Sequence, residues 1–483
     1  MEKLNQILNS FFLIYGSLLF LSYVFIAILS SIDLSFYVKK SKHFRFNSIK
    51  EYKILPSISI IAPAYNEEAS IIENIRSLLS LEYPKLEVIV VNDGSKDNSL
   101  QKVIDYYRLI KVDYAFNQTI ETANVRGIYK STNAAYSNLI YVDKENGGKA
   151  DALNAGINIA RSDLFLAIDV DCIIENDAIL RMVKPFLEET KIKVIAAGGV
   201  VRVANSCEIK DGRIVNVNYP KNIWAKFQVL EYFRAFTLGR MAWSRINGLL
   251  IISGAFGLFD RKLALAVDGY DKSTVGEDFE LVVQMRKHMH TVEKQKYKVA
   301  FIPDPLCWTE VPSKIRILKN QRNRWTRGSI DTVLKHKDVF LNPKYGKMGL
   351  ISFPYWVLFE WLAPIIETIG FIYFSLMLIF ASINFQIFFI LLLFVFSFSL
   401  FFSSYAVFYE TLVFNRYKGY KFLFSVLFIA IAEMIIYHPL NVYFALLGNY
   451  TFFVKKNKNG WGKMTRTAFD DKSKKTKNGK LVN

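Results

Sequence analysis

The chain has 483 residues, of which 52% are hydrophobic and 15% aromatic, and its formal net charge at pH 7 is +18. The apolar residues concentrate at 10–32 and from about 350 to 454, whereas 45–345 has the charge density of an ordinary globular domain. Basic residues flank the apolar stretches, as they do at the cytoplasmic face of a membrane, and no DNA- or RNA-binding motif accompanies them, so the charge indicates membrane lipids and excludes nucleic acid as the partner.

The first predicted element, in residues 1–35, is a membrane-spanning helix. Phe11 to Ile32 is almost wholly apolar, and about 20 such residues cross the hydrocarbon core of a bilayer. The residues that follow are basic, namely Lys39, Lys40, Lys42 and Arg45. We therefore expect a multi-pass protein of the plasma or inner membrane whose central domain is cytoplasmic.

The central domain, residues 45–345, alternates short apolar runs with helical stretches. Helices are predicted at Glu67–Leu81 and Asp97–Ile110, and strands at Ile58–Ala62, Glu87–Asn92, Leu139–Val142 and Leu164–Ile168. This alternation predicts an α/β fold with a mostly parallel sheet and helices on both faces. Ligands of such sheets bind at the carboxyl ends of the strands.

Polar side chains follow three of these strands at the point where each ends. Asn66 and Glu67 follow the first strand, and Asp93 follows the second. The Asp93 carboxylate could accept a hydrogen bond from a uracil N–H, although Asp-Gly is also a common turn. Asp169 and Asp171, two positions apart after the fourth strand, could bind one divalent ion, and their oxygen atoms suit Mg²⁺ or Mn²⁺.

Two further short motifs carry charged residues. Lys149 follows Gly147-Gly148, so its ammonium could contact a diphosphate or belong to an exposed loop; the full P-loop pattern is missing. Gly276-Glu277-Asp278 precedes the predicted helix Phe279–Lys287. Carboxylates in a first helical turn are favoured by the helix dipole, but one of them could also be a general base for an acceptor hydroxyl.

A later helix combines a basic and an aromatic residue on one face. Gln321, Arg324 and Trp325 are spaced i, i+3, i+4 and therefore share that face. A guanidinium can hold diphosphate oxygens in a bidentate manner, and an indole ring can stack on a sugar. The alternative is a basic helix at the membrane surface.

The C-terminal region, residues 350–454, predicts further membrane helices. Thr368 to Tyr409 is free of charge and long enough for two spans joined near Ser382–Gln386. Phe422–Val454 is also apolar, but it precedes a basic tail, residues 455–483, with ten Lys or Arg against two Asp. Because a crossing would place this tail outside, we expect an interfacial or re-entrant element there.

Taken in this order, the motifs resemble the family 2 glycosyltransferases, in particular the membrane-integrated branch of cellulose, hyaluronan and poly-N-acetylglucosamine synthases. The resemblance covers about residues 55 to 330 by motif. It implies a GT-A, Rossmann-like catalytic domain flanked by transmembrane helices. Gly276 stands where the family's T-E-D motif has Thr, which we expect to matter little because both carboxylates remain.

The resemblance also implies a role for each motif. Asp278 would be the catalytic base beside Glu277, and Asp171 with Asp169 would hold the metal. The remaining roles are nucleotide-sugar binding by Asn66, Glu67, Asp93, Lys149, Asp169 and Arg324, acceptor binding by Gln321 and Trp325, and a gating loop at Trp461, Lys463 and Arg466.

These roles predict an inverting hexosyltransferase that uses a nucleotide-diphosphate sugar, with UDP as the expected nucleotide. The expected acceptor is a growing polysaccharide, made processively and exported. A single transfer to a lipid-linked acceptor, giving a glycolipid, is the alternative. A non-catalytic membrane scaffold is a third possibility, against which the intact carboxylates at 169, 171 and 278 argue.

Overall fold

The protein is described by a computed structural model that covers residues 2–41, 55–188, 191–210, 212–380, 385–417 and 419–456. The predicted gating-loop residues, Trp461, Lys463 and Arg466, lie outside these ranges.

A ten-stranded sheet forms the centre of the α/β domain. Its strands are β1 (Ile58–Ala64), β2 (Leu86–Asp93), β3 (Leu109–Val112), β4 (Val125–Ser131), β5 (Leu139–Lys144), β6 (Leu164–Ile168), β7 (Ile173–Ile174), β8 (Lys193–Val203), β11 (Phe256–Asp260) and β12 (Tyr297–Thr309). Their order across the sheet is β3-β4-β5-β2-β1-β6-β11-β8-β12-β7. A separate hairpin joins β9 (Glu208–Lys210) to β10 (Arg213–Asn216).

The four strands predicted from the sequence form the parallel middle of this sheet. β5, β2, β1 and β6 pair in parallel, and their apolar runs are buried, as expected for strands covered on both faces. The prediction of a mostly parallel sheet is wrong, because β3, β4, β7 and β11 pair antiparallel with their neighbours. β11 enters the sheet from the edge where β6 ends, and it therefore runs opposite to β6 and β8.

Helices cover the sheet and connect it to the membrane region. Those of the α/β domain are α2 (Ile71–Leu79), α3 (Ser99–Tyr107), α4 (Lys149–Ile159), α5 (Ala178–Glu188), α6 (Ile223–Tyr232), α7 (Met241–Arg245), α8 (Arg261–Ala266), α9 (Glu277–His288) and α10 (Ile315–Lys335). A π-helix, Phe233–Arg240, joins α6 to α7 without a break. We call the continuous helix 223–245 the seam helix, because it packs between the sheet and the membrane helices.

The membrane region consists of an N-terminal helix and a C-terminal group. These are α1 (Glu2–Ser41), α11 (Phe353–Tyr355), α12 (Ala363–Ile379), α13 (Phe385–Val413), α14 (Tyr420–Ala432) and α15 (His438–Phe453). Within the described ranges, three helices are long and apolar enough to cross a membrane, at Asn5–Lys39, Val395–Val413 and Tyr420–Phe453. A fourth is added if the pair Met348–Trp361 and Ala363–Ile379, bent by 45°, is one span. These helices indicate a membrane protein.

The last of these helices, Tyr420–Phe453, follows the α/β domain along its length. It touches that domain near its start, middle and end, through the pairs Phe422–Tyr219, Tyr437–Phe227 and Thr451–Asn323. The interfacial or re-entrant position of this helix stays a prediction, because its length and composition permit a crossing. One continuous core joins the sheet to α1, α13 and α14, so the membrane helices and the α/β domain pack as one body.

Candidate functional site

Residues far apart in the sequence meet at the carboxyl end of β6. The ammonium of Lys149, the first residue of α4, lies 2.5 Å from Asp169 Oδ1 and 3.3 Å from the carbonyl oxygen of Gly254. The backbone N–H of Gly254 donates to Asp278 Oδ2 at 2.9 Å. Asp169, Lys149 and Asp278 are therefore joined by a short chain of contacts, with Gly254 between the lysine and the second carboxylate.

Asp93 organises the glycine loop that leads to Lys149. Its carboxylate accepts hydrogen bonds from the backbone of Gly147 (3.0 Å) and Gly148 (2.8 Å) and from the buried Lys144 ammonium (2.7 Å). Lys144 also pairs with Asp151 at 2.6 Å. The position of Lys149 thus depends on a buried charge network that starts at the end of β2.

Asn66 and Glu67 connect the loop after β1 to the loop after β2. The Asn66 side chain accepts from the backbone of Lys96 at 2.8 Å, and the Glu67 backbone donates to Ser99 Oγ at 3.1 Å. Asn66 adopts a left-handed backbone conformation with φ 55°, which asparagine tolerates better than most residues. Both residues therefore lie at the same sheet edge as Asp93.

The carboxylates that follow β6 can hold a divalent ion. Side-chain ligand atoms of Asp169, Asp171 and Cys172 lie within 4.8 Å of one another. The Cys172 thiol is buried and hydrogen-bonded to Cys307, and this contact together with burial raises the pKa of Cys172 well above its usual value. The two carboxylates offer hard oxygen ligands, which suit Mg²⁺ or Mn²⁺.

Glu277 and Lys149 influence each other across the same site. Burial raises the pKa of Glu277 to about 7; the nearby Lys149 opposes this shift and Asp278 adds to it. Burial disfavours the charge on Lys149, but Asp169 and Glu277 outweigh it, and the pKa of Lys149 is raised. The site therefore holds a fixed positive charge beside three carboxylates.

Gly276 permits a close approach between two helices of the site. A Cβ atom at Gly276 would lie 2.8 Å from Gly328 Cα, so any side chain there would push α9 away from α10. The expectation that the missing threonine matters little concerns the two carboxylates, and it stays a prediction. The glycine allows the start of α9, with Glu277 and Asp278, to pack directly on α10.

The predicted face of α10 lines a cavity beside these carboxylates. Gln321, Arg324 and Trp325 all contribute to its wall, as the i, i+3, i+4 spacing predicts. Arg324 acts electrostatically on both Lys149 and Glu277. The Trp325 indole is covered on one side by the guanidinium of Arg322, 4.0 Å from the ring centroid, and Arg322 is held by Glu231 at 2.6 Å.

The cavity continues from the carboxylates toward the membrane helices. Its volume is about 1240 Å³, and its inner end is formed by Lys149, Asp169 and Asp278. Further along, its wall consists of aromatic and charged side chains, among them Tyr15, Tyr23, Phe359, Glu360, Glu367 and His438. Among the described residues, Asn66, Glu67 and Asp93 are not part of this wall. The cavity is larger than the 300–1,000 Å³ typical of a small-molecule site.

The sequence of the domain that holds these carboxylates and this lysine matches a known family of enzymes. The family model described as "Glycosyltransferase like family 2" matches residues 56–328, more than half of the chain. The chain belongs to this family. It is a glycosyltransferase, as the order of its motifs predicts.

Relatives of this family 2 glycosyltransferase include bacterial polysaccharide synthases. The poly-beta-1,6-N-acetyl-D-glucosamine synthase of Staphylococcus epidermidis is 28% identical over 332 residues, which cover 68% of this chain and 67% of the relative. The enzyme of the same name from Staphylococcus aureus (strain COL) is 26% identical over 334 residues, covering 68% of each chain.

A solved structure supports the GT-A fold of this glycosyltransferase. A mannosyltransferase from Pyrobaculum calidifontis, in complex with GDP-Man and Mn²⁺, matches with a TM-score of 0.50 and 16% identity. The match covers 90% of this chain and 99% of the mannosyltransferase. At this identity, the likeness concerns the fold.

Some residues of this glycosyltransferase site carry no signal that motif spacing could reveal. Gly254 lies in the connection before β11, and Arg240 ends the π-helix of the seam helix; both line the cavity beside Asp278. Arg322 falls within the predicted Gln321–Trp325 motif, but its partner Glu231 lies on α6. From the sequence, the segment Arg240–Arg245 could reach either the membrane surface or the acceptor, and the sequence does not decide between the two.

Glu277→Gln should remove a pH dependence of stability near neutrality. A folded-state pKa of about 7, against an ordinary value of 4.5, means that the contribution of Glu277 to stability is present below pH 4.5 and lost as the pH rises through 7. The loss is at most about 1.4 kcal/mol per pH unit. Between pH 5 and 8 we expect the melting temperature of the variant to rise relative to wild type.

The melting temperatures of Glu277→Gln and wild type are compared in detergent, with a chelator and without nucleotide. Glu73→Gln, on the exposed face of α2, serves as the control and should follow wild type at every pH. A melting-temperature difference between Glu277→Gln and wild type that stays constant from pH 5 to 8 would contradict the assignment.

Proposed function

We propose that this glycosyltransferase moves sugar units from a UDP-sugar onto a growing polysaccharide, with inversion at the anomeric carbon. The observation that carries the proposal is the position of Asp278. Its carboxylate lies at the inner end of a cavity that begins beside Lys149 and Asp169 and continues between the membrane helices.

The donor would bind across the carboxyl ends of β1, β2 and β6. Lys149 and Arg324 would contact its diphosphate, since both are cations at the carboxylate end of the cavity. Asp93, Asn66 and Glu67 belong to the loops on which a nucleoside would lie, at the sheet edge where α/β proteins bind nucleotides. A role for Asp93 in contacting uracil requires one of its oxygens to accept a further hydrogen bond.

Asp169 and Asp171 would hold the divalent ion that accompanies the nucleotide. When bound, Mg²⁺ or Mn²⁺ neutralises charge on the diphosphate leaving group. The two carboxylates fit this role because their oxygens lie within 4.8 Å of each other at the end of β6.

Asp278 would act as the general base. It takes the proton of an acceptor hydroxyl, the oxygen forms a bond to the anomeric carbon, and the bond from that carbon to the diphosphate oxygen breaks on the opposite face. UDP departs with the electron pair, while Lys149 and Arg324 stabilise its negative charge. Backbone N–H groups of Gly254 and Phe279 donate to the Asp278 oxygens at 2.9 Å each and fix their orientation.

Trp325 and Gln321 would position the acceptor sugar. Trp325 is 39% exposed, and Arg322 covers one face of its ring, so a single orientation of the indole is presented to the cavity. Fixing the acceptor near the anomeric carbon supplies the proximity part of catalysis.

The cavity also supports a polymeric product that leaves through the membrane helices. Its wall contains aromatic rings and charged groups, such as Tyr15, Phe359 and Glu367, and its volume is about 1240 Å³. The named activity of the staphylococcal relatives favours N-acetylglucosamine as the sugar and a polymer as the product. The catalytic domain would face the cytoplasm, because basic residues follow the apolar stretch of α1.

The size of the product tests this proposal. Purified full-length protein with radiolabelled UDP-N-acetylglucosamine and Mg²⁺ or Mn²⁺ should release UDP and give a labelled polymer that gel filtration separates from small adducts. A label found only in a lipid-soluble monosaccharide adduct would contradict the polymer and favour the glycolipid. Asp278→Asn, assayed in the same way, gives the background of labelled product that arises without the general base.

A further inference from the structure

The seam helix carries three arginines that differ in their partners. Arg234 pairs with Glu433 of the C-terminal helices at 2.7 Å, and Arg245 pairs with Asp33 of α1 at 3.2 Å. Arg240 lies between them, and among the residues that the structure describes it has no ion-pair partner. Two of the three arginines therefore attach the helix to the membrane region, and Arg240 takes no part in this attachment.

Arg240 is half-buried in the wall of the cavity that contains Asp278. Its guanidinium lies over the Phe236 ring, 4.1 Å from the centroid, and its Nη1 atom is buried without a hydrogen-bond partner. Burial lowers the pKa of Arg240 to about 10, while Asp278 favours its charged form. The side chain is therefore still a cation at neutral pH, and it faces the cavity that contains Asp278.

A buried guanidinium N–H without an acceptor is costly and uncommon in folded proteins. The stacking on Phe236 holds the group in place but accepts no hydrogen bond. An oxygen atom that enters the cavity beside Asp278 would satisfy this donor. Arg240 therefore presents a preformed donor to whatever occupies the space next to the general base.

The charges around the space between Arg240 and Asp278 suit the acceptor sugar better than the nucleotide-sugar donor. Arg324 acts electrostatically on Lys149 and Glu277, at the diphosphate end of the cavity, whereas Arg240 interacts with Asp278. The charges of Arg240 and Asp278 offset each other, so the pair favours a neutral, oxygen-rich group over an anion.

We propose that Arg240 is an acceptor-binding residue, whose guanidinium donates to a hydroxyl or amide oxygen of the terminal acceptor sugar. The same contact would place a neighbouring hydroxyl of that sugar at Asp278. This inference rests on the proposed function, and it adds a specificity-determining contact that the sequence motifs do not contain.

Arg240→Gln tests the role, with Arg245→Gln on the same helix as the matched control. Purified variants are assayed with UDP-N-acetylglucosamine and a short β-1,6-linked N-acetylglucosamine oligosaccharide. Loss of one charged hydrogen bond should raise the KM for the oligosaccharide about 10- to 100-fold in Arg240→Gln. In Arg240→Gln, the KM for the donor should stay within about twofold of wild type, and so should the slow rate of donor hydrolysis without acceptor. In Arg245→Gln, these two quantities should also stay within about twofold of wild type.

A second pair of measurements separates binding from folding. Arg240→Lys, which keeps the charge, should recover part of the acceptor affinity, and added guanidinium ion should partly restore Arg240→Gln. An unchanged acceptor KM in Arg240→Gln overturns the inference while leaving the proposed function intact. An equal loss of transfer and donor hydrolysis, with no rescue, overturns it in favour of a structural role. A wild-type protein that transfers no sugar to the oligosaccharide overturns this inference together with the proposed function.

Discussion

Asp278→Asn should lower the rate of sugar transfer by about 10²- to 10⁴-fold, which is the range for loss of a positioned general base. The substitution keeps the shape of the side chain but removes its ability to take a proton. One amide oxygen can still accept from Gly254 or Phe279, whose N–H groups contact the two carboxylate oxygens at 2.9 Å. We therefore expect the variant to fold and to retain the wild-type affinity for UDP.

Initial rates with radiolabelled donor and the affinity for UDP measure these two effects separately. Asp268→Asn is a suitable control, because Asp268 is exposed and has φ 64°, a conformation that asparagine also accepts. The control should transfer sugar at the wild-type rate. Transfer by Asp278→Asn within about threefold of wild type, well outside the range for a lost base, would show that another group accepts the proton.

Removing the divalent ion should stop transfer almost completely. Asp169 and Asp171 bring carboxylate oxygens within 4.8 Å of each other beside Lys149, and a diphosphate leaving group in water-excluded surroundings requires charge neutralisation. Excess EDTA should reduce UDP release by more than about 10²-fold, and added Mn²⁺ or Mg²⁺ should restore it. Asp171→Asn should weaken Mn²⁺ binding about 10- to 100-fold even without substrate.

Binding of Mn²⁺ is followed directly by the electron paramagnetic resonance signal of the free ion, which does not depend on turnover. Asp105→Asn, an exposed substitution on α3, is the matched control and should bind Mn²⁺ as wild type does. Equal Mn²⁺ affinity in wild type and Asp171→Asn would place the ion elsewhere.

Chain order and position at strand ends carry the information that predicts the meeting of Lys149 with Asp169, which the structure shows, whereas the roles of these residues in donor binding stay predictions. Asp93, Asp169 and Lys149 each follow an apolar run or a glycine pair, and parallel strands bring their carboxyl ends to one edge. The spacing of Gln321, Arg324 and Trp325 likewise fixes one helix face. Local patterns of this kind require no knowledge of distant contacts.

The place of Arg240 could not be predicted in the same way, because it depends on contacts between distant segments. Arg234 and Arg245 become attachments to the membrane helices only through Glu433 and Asp33. Only when these pairs are known does Arg240 stand out as the arginine that faces the cavity. The approach of Gly276 to Gly328 is similarly invisible in the sequence, although it determines where Asp278 lies.

The position and direction of β11 in the mixed sheet likewise could not be predicted from the sequence. Phe256–Asp260 is a short apolar segment, and nothing in its composition indicates that it lies between β6 and β8 or that it runs antiparallel to both. Its direction follows from the seam helix, which brings the chain back to the edge where β6 ends. Gly254, which contacts Asp278, is placed by this connection.

An experimental structure of the full chain with UDP and Mn²⁺ tests most directly whether Asp169, Asp171, Lys149 and Asp278 share one active site. We expect Mn²⁺ at the two carboxylates that follow β6, the diphosphate between this ion and Lys149, and Asp278 facing the same space from the start of α9. UDP bound away from Asp169 and Asp171, or an Asp278 carboxylate turned out of the cavity when the nucleotide is bound, would contradict this expectation.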